Sequence, residues 1–142
     1  MSYKYLEDIA TADIAFEAVG RTIEEAFENA AQATFGIITD LSGVGSETEK
    51  KLELEAEDLK ALLFEWIDEL LLYWDSENLV FSDFDVKIKE LSGIYSMKAI
   101  VRGEHFDRER HEVKQNVKSP TYHLMEIENQ KNRCRIRMVI DI

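Results

Sequence analysis

Cysteine, proline and histidine are scarce in this 142-residue chain, which has one Cys, one Pro and three His. A lone Cys134 cannot form an intrachain disulfide, which points to a reducing, cytoplasmic setting. It alternates with Arg133, Arg135 and Arg137, so it reads as a small inward-facing hydrophobe and not a nucleophile. Neither CxxC nor HExxH occurs, which removes the usual zinc sites. His105 and His111 fall in a densely charged stretch, and His111 beside Glu112 reads as a surface or capping residue. There is no Gly-x-Gly-x-x-Gly and no Walker-type phosphate loop, so nucleotide binding by those means is excluded. No apolar run reaches the roughly 18 residues of a membrane span, and the N-terminus lacks a signal-peptide layout. Neither a membrane span nor export is expected.

Positive charge is short as well. Seventeen Lys and Arg stand against 29 Asp and Glu, a formal net charge of −12. A surface this acidic repels phosphate backbones, which argues against direct nucleic-acid binding and suits a basic protein partner or cations. What is abundant is apolar: 45% hydrophobic residues with 10% aromatics exclude a disordered chain. The length suits one domain, residues 1–142, with a real core.

Residues 14–19 alternate as a short strand that ends at Gly20-Arg21. Thr22-Ile23-Glu24-Glu25 matches a capping box, in which Thr22 accepts from the Glu25 amide and Glu25 reaches back to the Thr22 amide. A helical stripe follows, predicting a helix over 23–38. Residues 49–56 alternate again, placing Leu52, Leu54 and Ala56 on one face. Asp58 can cap a second helix whose stripe runs Leu59, Leu62, Leu63, Trp66, Ile67, Leu70, Leu71, Trp74, which must be core. Residues 79–90 and 94–102 read as a hairpin about Leu91-Ser92-Gly93, with Gly103 ending the second strand. Residues 104–115 read as a solvated connection. Strands over 122–128 and 134–140 close the chain. Two helices with six or seven strands argue an α+β fold, the helices covering one face of a mostly antiparallel or mixed sheet.

Two places concentrate chemistry. Val117-Lys118-Ser119-Pro120-Thr121-Tyr122-His123 holds the only proline, which restricts Ser119 to extended geometry and gives Lys118 a defined direction. It reads as a loop or bulge entering a strand. Asp13 stands at the entrance to the first alternating strand, and Asp141 ends the last one, beside Ile142 and its terminal carboxylate. If those strands are neighbours, hard oxygen ligands meet there, a set that favours Ca2+, Mg2+ or Mn2+. Two like charges side by side otherwise need Lys118 or a cation to offset them.

These positions resemble the archease family. The resemblance is carried by Thr11-Ala12-Asp13-Ile14, by residues 20–28 (Gly-Arg-Thr-Ile-Glu-Glu-Ala-Phe-Glu), and by Glu57-Asp58-Leu59 with Leu62-Leu63 and Asp68-Glu69-Leu70-Leu71. Leu79-Val80-Phe81, Gly103-Glu104, Val117-Lys118, Thr121-Tyr122-His123 and Ile140-Asp141-Ile142 complete it. The chain departs from the family pattern at Ala10 (usually His), Ala15 (commonly Gly) and Ser119 (usually Ala).

The resemblance implies an accessory, non-catalytic protein that promotes guanylylation and repeated turnover of an RtcB-type RNA ligase in tRNA splicing. The ligase, not this chain, uses GTP and Mn2+. The resemblance further implies Asp13 and Asp141, with the Ile142 carboxylate, as ligands of a divalent cation, and Lys118 with His123 as contacts to partner or phosphate. The alternatives are a general protein chaperone and a metal-dependent phosphohydrolase using Asp13, Asp141 and Lys118.

Overall fold

Two long stripes of apolar side chains must be covered, and two antiparallel sheets cover them. The computed structural model describes residues 2–6 and 13–142. In order these are β1 (Ser2–Leu6), β2 (Asp13–Gly20), α1 (Ile23–Ile38), a 3-10 turn (Leu41–Gly43), β3 (Thr48–Ala56), α2 (Leu59–Glu77), β4 (Leu79–Leu91), β5 (Ile94–His105), β6 (Ser119–Gln130) and β7 (Arg133–Asp141). The α+β class stands. The strands divide into a four-stranded sheet, β1-β2-β7-β6, and a three-stranded sheet, β3-β5-β4. α1 packs on β2 and β4, and α2 on β6 and β3, so each helix touches both sheets.

Local chemistry sets the ends of the elements. Thr22 accepts from the Glu25 amide at 3.1 Å, as expected of a cap. The Glu25 carboxylate, however, accepts from Arg21 N at 3.2 Å, one residue before the cap. Asp58 accepts from Ala61 N at 2.8 Å and starts α2. That helix runs on through Glu77 and stops where Asn78 enters the left-handed region at φ 57°. Trp66, fully buried, donates to Phe27 O at 3.0 Å and ties α2 to α1. In the four-stranded sheet Phe16, Ala18, Ile136, Met138 and Ile140 face the core. Glu17, Arg135 and Arg137 alternate with them on the other face, where Arg135 pairs with Glu17, Glu126 and Glu128. Cys134 is buried, as its alternation predicts.

Gly103 does not end a strand. It lies inside β5 between Thr48 of β3 and Phe81 of β4, at the bulge where the β4 register shifts. A Cβ there would run into the Val80 carbonyl and the Phe81 Cα, so only glycine lets the strands approach.

Residues 104–115 are mostly exposed, as their charge suggests, but Glu104 and His111 within them are buried. Glu104 is 2% exposed and His111 4%. Glu104 accepts from Gly45 N at 2.6 Å, Arg110 Nη2 at 2.7 Å and His111 Nε2 at 2.8 Å. His111 Nδ1 accepts from Asp107 N at 2.8 Å, so Nε2 carries the hydrogen given to Glu104. A buried carboxylate survives here because its oxygens are filled by donors. The cue was tertiary: the donors converge from two separate stretches of chain, Gly45 and Arg110-His111.

Candidate functional site

At one end of the four-stranded sheet the candidate acids meet. β2 pairs with β7 in a register that sets Asp13 opposite Asp141, and β6 pairs with β7 so that Ser119 is opposite Asp141. Directly opposed residues point to one face with Cβ atoms about 4.5–5.5 Å apart. Asp13, Asp141 and Ser119 therefore form one row. It lies on the face opposite the core, because Ile14 and Ile140, their neighbours in sequence, pack toward it. Both acids are half-buried.

Lys118 is brought to the same end by its backbone, whose N–H donates to Asp141 O at 2.9 Å. Its side chain is exposed and has no ion pair among the described residues. The chain reaches this point along a continuously anchored path. Phe106 stacks on His111 and packs edge-on to Trp74. Lys114 N, Gln115 N and Lys114 Nζ then donate to Ile38 O, Ile37 O and Gly36 O. With Thr39 N on Phe35 O, the last four carbonyls of α1 are all satisfied. Asn116 accepts from Trp74 Nε1 at 3.1 Å, and Val117 is buried. Pro120 is buried inside edge strand β6, where proline is tolerated.

The other expected residues are Ile142, which follows Asp141 directly, and His123. Ile142 packs its side chain against the core. His123 is exposed in β6, about four residues or roughly 13 Å along the strand from Ser119. It lies in the irregular stretch between Thr121 and Glu126, which also contains Leu124 at φ 56°. Tyr122 does not enter the core; it is 54% exposed and stacks on Phe64 of α2 at 4.4 Å with 4° between the rings. Ala10, Thr11 and Ala12 lie outside the described residues.

Among the described residues no group of three or more His, Cys, Asp or Glu is arranged to hold a metal. The pair Asp13 and Asp141 offers carboxylate oxygens and neither thiol nor imidazole. That donor set fits a hard divalent ion that keeps several ligands as water, and does not fit structural zinc. Ser119, a residue not among the expected ligands, adds a hydroxyl to the row. The strand register was the signal that could have revealed it.

A model of the Archease protein family matches residues 3–142. Protein archease of Methanosarcina mazei is 42% identical over 141 residues, spanning 99% of this chain and 95% of that protein. Protein archease of Pyrococcus furiosus is 44% identical over 133 residues, 93% of this chain and 94% of that one. The solution structure of Methanobacterium thermoautotrophicum protein 1598 has a TM-score of 0.85 at 38% identity, covering 99% of this chain and 98% of the other. The crystal structure of a Thermotoga maritima archease, described as a possible chaperone, shares the fold with a TM-score of 0.62 at 22% identity, covering 96% of this chain and 97% of the other.

Proposed function

The chain belongs to the archease family, and we propose that it acts as a non-catalytic accessory protein that promotes guanylylation and repeated turnover of an RtcB-type RNA ligase. The observation that carries this reading is the cross-strand pairing of Asp13 with Asp141, with Lys118 tied to Asp141 by its backbone. Asp13 and Asp141 would hold Ca2+, Mg2+ or Mn2+, which when bound offsets two facing negative charges. Lys118, exposed and unpaired among the described residues, would meet an anionic group of the partner's site. GTP and its Mn2+ remain with the ligase.

The net charge of −12 supports a basic protein surface as the target rather than RNA. A nuclease or phosphohydrolase would have to draw a polyanion toward a protein of net charge −12. Joining of excess RNA ends by a limiting amount of the same organism's ligase tests the proposal. The protein should raise the number of turnovers; an unchanged number refutes the role. RNA cleavage by this protein alone, lost in Asp13→Ala, would move it to the hydrolases. Client binding that is broad and indifferent to Asp141→Ala would favour a general chaperone.

A further inference from the structure

α2 and β6 lie side by side in opposite directions, and the seam between them is lined with unpartnered apolar surface. At one end Asp58, Leu59 and Ala61 of α2 face Tyr122, Ile127 and Asn129 of β6. In the middle Phe64 and Tyr122 stack in parallel. At the other end Asp68, Leu71, Leu72 and Asp75 face Asn116, Val117 and Lys118. Tyr122 is 54% exposed and Leu72 is 55% exposed. Large hydrophobics left open in a row along one seam mark an interaction surface more than chance scatter does.

The charges around the seam say what covers it. Glu65, Asp68 and Asp75 are exposed and have no basic partner among the described residues. The Tyr122 hydroxyl is pushed above the ordinary phenol range by partial desolvation and then by the negative charges of Asp58 and Glu65, so those carboxylates stand close to the ring. Lys60 and Lys118 lie only at the two ends. From Asp58 to Asp75 the helix rises about 25 Å, the span of roughly eight extended residues.

We propose that the α2–β6 seam docks an extended, arginine-bearing segment of a basic protein partner, with one guanidinium lying on the Tyr122 ring beside Asp58 and Glu65. Planar guanidinium suits this place better than ammonium, because it stacks on an aromatic face while its N–H groups reach carboxylates. The groove ends at Lys118, whose amide holds Asp141, so a segment bound along it leads the partner to the acidic row. The inference deepens the accessory-protein reading by supplying the surface that a basic partner would grip.

The test is an amide-shift titration of the intact protein with a synthetic peptide of about eight residues alternating arginine and alanine, beside its lysine counterpart. Shifts should follow residues 58–75 and 118–127, with arginine binding about fivefold tighter than lysine. Tyr122→Ala should weaken arginine binding about fivefold while Tyr122→Phe retains it. Glu65→Lys with Asp68→Lys, both on the exposed helix face, should weaken both peptides. Equal affinity for the two peptides, indifference to Tyr122→Ala, or shifts elsewhere would overturn the proposal. The same residues shifting with oligouridylate, or with protein concentration alone, would assign the seam to RNA or to a second copy and overturn it equally. No ligase is present in this titration, so its failure and a failure to stimulate the ligase are separate results.

Discussion

Glu104 accepts a hydrogen bond from His111 Nε2 at 2.8 Å in a place where neither side chain reaches solvent. The same carboxylate takes the Gly45 amide and Arg110, so it joins the loop before β3, the end of β5 and the turn that follows. This knot begins the anchored path that delivers Lys118 to Asp141. Glu104→Gln keeps the shape but turns an NH2 group toward donors. The expected loss is about 2–4 kcal/mol of stability, read as a fall in thermal midpoint. Hydrogen exchange at the Lys118 amide should accelerate with it.

Acid stability should carry the same signature. Glu104 is held down to about 2 from 4.5, first by the Gly45 amide, against the cost of desolvation, with Arg110 and His111 adding. Its folded value lies below its unfolded one, so its contribution is complete above about pH 4.5 and is lost as the pH falls toward 2. Between those values, stability should drop less steeply in Glu104→Gln than in wild type. Glu126 and Glu128, lowered by hydrogen bonds from Arg137 and Arg135, give a remainder of the same sign in both proteins.

Glu28 works in the opposite direction. Its carboxylate on α1 accepts from Val86 N at 2.9 Å and caps an edge amide of β4. Desolvation raises its pKa despite that bond. Its contribution is thus present at low pH and lost as the pH rises through the folded value. Glu28→Ala should cost about 1–2 kcal/mol by stranding the Val86 amide, while Glu28→Gln keeps an acceptor and should stay within about 0.5 kcal/mol at neutral pH. Denaturant midpoints of the two variants at pH 7 check this.

Much of the architecture was legible because it is local. The helix over 23–38 and the Asp58 cap follow from periodicity and one side chain each. Asp13 and Asp141 could be flagged as strand-end acids, but their meeting depends on β2 lying beside β7, a pairing between opposite ends of the chain. The same limit hid the division into two sheets, which turns on long-range pairing. The charges of residues 104–111 suggested solvent, yet Glu104 and His111 are buried, with the Gly45 amide arriving from a distant stretch of chain. Tyr122 could be placed at the start of a strand, but its stack on Phe64 at the surface depends on α2 lying beside β6.

Gly103 gives a sharper stability test. Gly103→Ala puts a methyl into the Val80 carbonyl, which belongs to strand backbone and cannot swing aside. The β4–β5 pairing should open at its bulge at a cost of about 3 kcal/mol or more. Gly43, around which a Cβ would meet nothing, is the control: Gly43→Ala should leave the urea midpoint nearly unchanged.

The acidic row predicts a reversal of sign. Without divalent ions, Asp141→Asn removes one of two facing negative charges and should stabilise the protein by about 0.2–1 kcal/mol. With Ca2+ present, wild type should gain thermal stability and Asp141→Asn should gain little. Asp13→Asn should behave alike. Equal Ca2+ stabilisation of all three would place any ion elsewhere.

The central claim is that Asp13, Asp141 and Lys118 act together on a ligase. The most direct measurement is the single-turnover rate of guanylylation of the same organism's RtcB-type ligase, with GTP and Mn2+. Wild type is compared with Asp13→Ala, Lys118→Ala and Asp141→Ala, each verified as folded. The account predicts acceleration by wild type and its loss in all three variants. Acceleration that survives in all three would contradict the site, and a rate that wild type leaves unchanged would contradict the function.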